Sequence, residues 1–219
     1  MLMKVFLSPM GLILGSAFLF LVQLVLTKPM PVKRSEYLPP PQIIQNMAVG
    51  LNIQMADSFW LRALQDFDYC DQPLNSTECK GESWLYHVVD LTTDLDKKFR
   101  DAYFFGAMSL SVLVSDYDGA SKIFDKGILQ FPNDWQLNYA AGYHVLFEEN
   151  NKAKAAKLYY AAAENGAPGW VKVLAGRLAN EGGEKEFAAQ ILEQMIKTSQ
   201  KPELIERLQK KLSSYNQQL

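Results

Sequence analysis

The sequence contains few of the residues that build metal and nucleophilic sites, with only two histidines and two cysteines among 219 residues. Two cysteines exclude a disulfide-rich scaffold and a four-thiolate zinc site. The 22 basic and 24 acidic residues nearly balance, so the chain lacks the basic excess of a dedicated nucleic-acid-binding protein. HExxH, CxxC, phosphate-loop and GxSxG motifs are also missing from the sequence. These absences argue against an enzyme and against a bound cofactor.

Formal charge is missing from residues 5–27, a run of 23 mostly apolar residues. A helix of that length would measure roughly 34 Å, enough to cross a hydrocarbon core of about 30 Å. The alternative is a cleaved signal peptide, but the run ends without a small-x-small cleavage site, and no cysteine follows closely enough for a lipoprotein. We therefore expect residues 1–27 to be an uncleaved transmembrane signal anchor. Gly11 and Gly15 form a GxxxG pattern, which favours helix packing or reflects the glycine content common in membrane spans.

A proline-rich segment follows this predicted anchor. Residues 28–42 contain five prolines, which predicts a stiff, partly extended linker. Lys4 precedes the anchor, whereas Lys28, Lys33 and Arg34 follow it. Counting these charges by the positive-inside rule would place the C-terminal body in the cytoplasm.

Cys70 and Cys79 favour the opposite orientation. They bracket a short, polar, turn-rich loop, which suits a disulfide, and disulfides persist in oxidising compartments. Two unpaired thiols are the alternative. The sequon at Asn75 is meaningful only if the chain enters a eukaryotic secretory pathway. We expect a single-pass inner-membrane protein whose body lies in the periplasm.

The chain from residue 43 to residue 219 has the pattern of an all-α domain. Apolar residues recur at spacings of three and four, without sustained two-residue alternation, and turn residues interrupt the pattern at even intervals. Short turns between such segments predict stacked antiparallel helix pairs. The predicted breaks are Pro73, Ser115–Asp116, Pro132–Asn133, Asn150–Asn151, Gly166–Gly169, Gly182–Gly183 and Pro202.

The helical region is similar to itself at a shift of 35 residues. Small residues superpose on small ones, which allows two helices to approach closely, and large apolar residues superpose on large ones. The superposed pairs are Phe104 with Tyr139, Ala107 with Gly142, Leu110 with Val145, Ala120 with Ala155, Phe124 with Tyr159, and Gly127 with Ala162.

These residues resemble the tetratricopeptide repeat (TPR) family. The clearest copy is residues 116–134, where Ala120, Phe124, Gly127 and Pro132 match the family's small, aromatic, small and proline positions. Two copies exceed the usual repeat of about 34 residues by one residue near the internal turn. The resemblance implies a TPR-like α-solenoid, with a degenerate first copy around residues 56–96 and a capping helix from Pro202 to Tyr215.

The resemblance also implies a partner-binding groove lined by the first helix of each pair. An aromatic groove with one cation and one amide suits an extended or helical peptide, although some of the aromatics could instead pack one repeat against the next. The basic-plus-asparagine clamp of chaperone-binding members is not matched. The implied groove residues are Phe104, Met108, Gln136, Tyr139, Tyr143, Phe147, Trp170, Arg177 and Asn180.

The remaining candidates for chemistry have simple structural interpretations. Asp94 and Asp96, like Asp116 and Asp118, fall at helix boundaries, where acidic residues cap helices. We therefore expect a non-enzymatic, membrane-anchored adaptor that binds a protein partner, by analogy in a bacterial envelope assembly of the secretion, pilus or motility type. We expect neither a small-molecule substrate nor nucleic acid. The alternatives are a structural subunit that contacts partners through its transmembrane helix, and a hydrolase whose dispersed site includes one of the two histidines.

Overall fold

The protein is helical throughout the part of the chain that the computed structural model describes, residues 9–26, 38–65 and 80–216. These residues form eleven α-helices and contain no β-strand. The chain divides into two compact units, Met1–Tyr37 and Leu38–Leu219. The expected all-α fold is confirmed.

The first unit contains helix α1 (Pro9–Leu26). This helix accounts for 18 of the 23 residues in the uncharged run. Among the described residues, no helix combines the length and apolarity that crossing a membrane requires. The membrane-spanning helix expected over residues 1–27 is therefore not supported. Gly11 and Gly15 both lie in α1, and a methyl group added at Gly15 would meet no atom within 4 Å.

The described residues of the second unit form ten helices, and short turns join those from α4 onward. From α3 onward each helix packs against the next, and α4 also contacts α6, as α5 contacts α7. The helices are α2 (Ile44–Met47), α3 (Asn52–Gln65), α4 (Trp84–Leu95), α5 (Arg100–Ser109, extended by a π-helical turn over Leu110–Val114), α6 (Tyr117–Gln130), α7 (Trp135–Phe147), α8 (Lys152–Glu164), α9 (Gly169–Glu181), α10 (Lys185–Thr198) and α11 (Pro202–Asn216).

This arrangement confirms the predicted stack of helix pairs. The pairs are α3 with α4, α5 with α6, α7 with α8, and α9 with α10, and α11 packs on the last pair. Every predicted break after residue 80 coincides with a helix boundary, whereas Pro73 lies outside the described residues. The core follows the stack, with Tyr103 and Phe124 buried in one cluster and Tyr159 and Ile191 in the next.

Small residues are found where neighbouring helices approach most closely. A Cβ atom at Gly106 would lie 2.6 Å from Cγ1 of Val89, across the contact of α5 with α4. A Cβ atom at Gly127 would lie 2.9 Å from Cβ of Tyr103 and 3.1 Å from Cδ2 of Leu137. These distances are shorter than van der Waals contact, so the predicted role of small residues in close helix approach is confirmed.

The turn that ends α5 and the turn that ends α7 have the same wide form. Ser115 and Asn150 are corresponding residues of the two turns, since they superpose at the 35-residue shift. Both have the left-handed backbone conformation, with φ of 63° and 51°. The backbone amide after each of them donates to a carbonyl six residues earlier. These hydrogen bonds are Asp116 N–H to Leu110 O (3.0 Å) and Asn151 N–H to Val145 O (3.1 Å).

Asp116 joins the starts of two helices through its buried carboxylate. It accepts hydrogen bonds from the Gly81 amide at 2.6 Å, the Ser83 hydroxyl at 2.5 Å and the Gly119 amide at 3.0 Å. The last of these caps α6, as predicted. Because Ser83 caps α4, the same carboxylate also holds the N-terminus of α4 beside that of α6.

The close contacts at Gly127 predict a measurable loss of stability when this residue is enlarged. We expect Gly127→Ala to lower the free energy of unfolding, because overpacking costs about 1–3 kcal/mol and the better helix propensity of alanine returns at most about 1 kcal/mol. Gly169→Ala is the control, since a Cβ atom there would meet no atom within 4 Å. Urea denaturation followed by circular dichroism measures both variants. A Gly127→Ala protein as stable as the control would contradict this packing role.

Candidate functional site

Arg100, the first residue of α5, fixes the start of that helix against the start of α7. Its Nε donates to Oδ2 of Asp134 at 2.7 Å and its Nη2 donates to Oε1 of Gln136 at 2.8 Å. The guanidinium also lies 4.8 Å from the ring centre of Phe104. The hydrogen bond from Arg100 holds the pKa of Asp134 below its usual value. Since Asp134 also caps α7 through the Leu137 amide, this contact aligns the first helices of two successive pairs.

Four aromatic residues on α7 and α9 form what we call the aromatic surface: Tyr139, Tyr143, Phe147 and Trp170. The first three are spaced by four residues along α7 and therefore share one face of the helix. The rings of Tyr143 and Phe147 are 4.5 Å apart between centroids, and Tyr139 meets Trp170 edge-on at 5.8 Å. Phe147 is 60% exposed, Trp170 55% and Tyr143 41%, so three large aromatic side chains face solvent.

A buried tyrosine supports the aromatic surface from below. Tyr159 of α8 is almost fully buried and lies edge-on to Tyr139, with 5.2 Å between ring centroids. Burial raises the pKa of Tyr159, and the neighbouring Tyr139 and Tyr143 raise it further. Gly142 makes this arrangement possible, because a Cβ atom there would lie only 3.2 Å from the Tyr159 ring. The aromatic surface is therefore closely packed against the core at Tyr139.

The other groove residues predicted on α5 and α7 do not extend this surface. Phe104 is half-buried and packs edge-on against Phe105, with 5.0 Å between ring centroids. Met108 is half-buried against the core. Gln136 is exposed, but its side-chain oxygen is occupied by the hydrogen bond from Arg100. Of the nine predicted residues, the structure thus brings together the four aromatics of α7 and α9.

The predicted residues on α9 lie in different environments. Arg177 has a 62% exposed side chain, and its Nε lies 3.6 Å from a carboxylate oxygen of Glu181. Asn180 is half-buried, and its Oδ1 is buried without a hydrogen-bond partner among the described residues. Val173, which the sequence analysis missed, is half exposed three residues after Trp170. Helical spacing from Trp170 could have identified it.

His144 lies in a buried hydrogen-bond network. Its Nδ1 is 2.8 Å from the Ser111 hydroxyl and its Nε2 is 2.9 Å from the Ser121 hydroxyl. Ser121 also donates to a carboxylate oxygen of Glu149 at 2.9 Å. A catalytic triad would require the acid to orient the histidine and the imidazole to reach a substrate, whereas here the acid bonds to serine and the ring is only 1% exposed. The network links α5, α6 and α7.

The remaining titratable residues of the sequence analysis form separate local contacts. His87 lies 3.1 Å from Glu82, and Asp96 accepts from the Lys98 amide at 2.9 Å. Asp94 does not cap a helix as predicted but pairs with Lys126 of α6 at 2.7 Å. Within the described ranges, no three His, Cys, Asp or Glu side chains are grouped so that they could hold a metal ion. Cys70 and Cys79, with their predicted disulfide, lie outside those ranges.

The burial of His144 predicts that acid weakens the fold. Burial lowers its pKa below the usual 6.5, while Glu149 and Glu148 oppose the shift and Lys154 adds to it. Below pH 6.5 the unfolded chain binds the proton more readily than the folded chain, so stability falls with decreasing pH, by at most about 1.4 kcal/mol per pH unit.

Urea denaturation at several pH values measures this effect. His144→Gln is the control, because the amide can both donate and accept hydrogen bonds but does not titrate. We expect this variant to be less stable near neutral pH and to lose the slope just below pH 6.5. An unchanged slope would show that another group causes it.

Comparison with known proteins does not assign the chain to a family. No family model, no curated protein and no solved structure matches the sequence or its fold. The relationship to TPR proteins thus remains a prediction from the repeated residues.

Proposed function

We propose that this chain is a non-enzymatic adaptor that binds a segment of a partner protein on its aromatic surface. The observation that carries the proposal is the exposure of Tyr143, Phe147 and Trp170 on α7 and α9. Tyr139 connects the two helices, since its ring contacts Trp170 and the buried Tyr159. Tyrosine and tryptophan dominate the binding energy of protein interfaces, because a large apolar ring is combined with a polar group and few rotatable bonds.

The shape of the exposed set suits a peptide rather than a small molecule. The aromatic rings follow one face of α7 over two helical turns, and Trp170 with the aliphatic Val173 continues the exposed apolar surface on α9. Side chains at such intervals match the anchors that an extended or helical peptide presents. Arg177, which is exposed one turn beyond Val173, supplies a cation at the end of this surface.

The resemblance to TPR proteins supports the same choice of site, since their first helices line the binding groove. Under this proposal the body is a TPR-like α-solenoid, and α7 and α9 are the first helices of successive repeats. The partner belongs to a bacterial envelope assembly of the secretion, pilus or motility type, by analogy alone.

The sequence of residues 1–42 supports attachment to a membrane. The uncharged run over residues 5–27 would serve as a single-pass anchor, and the proline-rich linker would hold the body away from the bilayer. Such an anchor raises the local concentration of the adaptor beside a membrane-bound partner. The cysteine pair favours a periplasmic body.

We expect the double substitution Tyr143→Ala and Phe147→Ala to reduce recovery of the partner at least about tenfold, because truncation of even one interface hot spot costs 2 kcal/mol or more. The partner is first identified by in-cell cross-linking and mass spectrometry of the intact protein. Its co-purification is then compared between the unchanged chain and the double variant. Leu129→Ala is the matched control, since Leu129 is 80% exposed but lies on α6.

A second pair of substitutions tests the alternative that partners bind mainly through the N-terminal helix. Gly11→Leu with Gly15→Leu changes the small residues of α1 and leaves the body intact. If the partner is retained by the aromatic double variant and lost with the glycine variant, the adaptor proposal is wrong and the structural-subunit alternative is favoured. Circular dichroism confirms that each variant keeps its helices.

A further inference from the structure

A second exposed apolar surface occupies α2, α3 and the residues that flank them, and we call it the aliphatic face. Between Leu38 and Gln65, eight large apolar side chains are more than half exposed, including Met47 and Val49. The same 28 residues contain only two charged residues, whereas residues 80–216 contain 35 among 137. Within residues 80–216, the structure shows neither a similarly uncharged stretch of this length nor such a density of exposed apolar side chains.

Helix α3 carries more apolar surface than its neighbour covers. Ala56 and Ala63 are buried on the side that faces α4. Ile53, Leu61 and Leu64 are all exposed by more than half, and at 100° per residue they fall within an arc of about 80° beside the buried side. Contacts with α4 therefore bury only part of the apolar side of α3.

Charge on this helix is limited to two side chains. The guanidinium of Arg62 lies 5.8 Å from the ring centre of Trp84, so it is directed onto the body. Asp57 is exposed and lies within the arc of Ile53, Leu61 and Leu64. Among the described residues of α3, Asp57 is thus the only charged side chain within this arc.

The composition of the aliphatic face favours lipid over protein. Its exposed large side chains are leucine, isoleucine, valine and methionine, whereas Phe59 and Trp60 are half-buried. Leucine and valine are under-represented among the residues that dominate protein interfaces, and the aromatic residues that do dominate them are exposed on α7 and α9 instead. Aliphatic side chains on one side of a helix are what an amphipathic segment buries at the boundary of headgroups and acyl chains.

The position of the aliphatic face in the chain points to the same occupant. Only residues 27–37 separate the end of α1 from Leu38. Eleven residues extend at most about 40 Å, so a membrane anchor in residues 5–27 would keep Leu38 within that distance of the bilayer. The linker also contributes Lys28, Lys33 and Arg34, which favour anionic headgroups.

We propose that the aliphatic face binds the surface of a lipid bilayer, with Ile53, Leu61 and Leu64 inserted at the level of the acyl-chain boundary. The choice of lipid as occupant rests in part on the proposed membrane anchor. Binding at this face would orient the body on the membrane and leave α7 and α9 free for a protein.

Photo-cross-linking of the full-length chain tests this proposal. A benzophenone amino acid replaces Leu61, or Leu129 as the matched control, and the protein is reconstituted into vesicles of equal parts phosphatidylcholine and phosphatidylglycerol. After irradiation, mass spectrometry counts lipid adducts. We expect position 61 to form lipid adducts at least about five times as often as position 129, because only the former would reach the acyl chains.

Two other outcomes would overturn the proposal. Adducts of position 61 with α1 or with a second copy of the chain would identify the face as a protein contact. Equal lipid labelling at both positions would show that the face does not bind the bilayer. Asp57→Asn adds an independent test: loss of the charge should maintain or increase lipid adducts at position 61, and a decrease would favour a basic protein surface as the occupant.

Failure of this proposal can be distinguished from failure of the proposed function. Alkaline carbonate extraction of the same vesicles tests the anchor, since an integral segment stays with the lipid. Release of the chain with persistent lipid adducts at position 61 would reject the anchor but retain the aliphatic face. Retention of the chain in the vesicles without lipid adducts at position 61 would support the anchor but reject lipid binding by the aliphatic face. The aromatic double variant tests partner binding separately.

Discussion

Close approach of neighbouring helices at glycine and alanine is the constraint on which the rest of the body depends. Gly127 lets α6 lie against both Tyr103 of α5 and Leu137 of α7, and Gly142 leaves room for the ring of Tyr159. A larger side chain at either position would push helices apart and change the offset between pairs. The hydrogen bonds of Arg100 and the edge-on contact of Tyr139 with Trp170 both depend on that offset.

Two polar contacts fix the register of the packed helices. Asp116 holds the starts of α4 and α6 together through one buried carboxylate, and Arg100 does the same for α5 and α7 through Asp134. Both contacts connect helices that are two apart in the chain. Because charge-assisted hydrogen bonds are directional, they fix which turn of one helix meets which turn of the other, a choice that apolar packing leaves open.

Much of the fold was predictable because its signals are local. Glycine, proline, asparagine and aspartate mark the helix ends by backbone preference alone, and the observed boundaries follow them from residue 80 onward. Exposure was harder to predict, because it depends on the rotation of each helix against its neighbours. Phe104 and Tyr139 superpose at the 35-residue shift, yet Phe104 packs beneath Arg100, whereas Tyr139 contacts Trp170 at the edge of an exposed aromatic set.

The contacts and exposures that sequence reasoning missed belong to this second class. Nothing in the spacing of Ser111, Ser121 and His144 indicates that they meet, because they come from three different helices. The burial of His144 follows from the tertiary arrangement of α5, α6 and α7. The sequence identifies Val173 and the aliphatic residues of α3 as apolar. Only the structure distinguishes the apolar side chains that face solvent from those that face the core.

The left-handed turns at Ser115 and Asn150 determine where this chain can change length. An added residue at either turn enters a wide loop closed by a hydrogen bond between residues six apart, so the helices on both sides keep their faces. One residue inserted early in α7 would instead rotate every later side chain of that helix by about 100°, which would turn Tyr143 and Phe147 away from Trp170. A change of length at these turns would therefore leave the spacing of the surfaces unchanged.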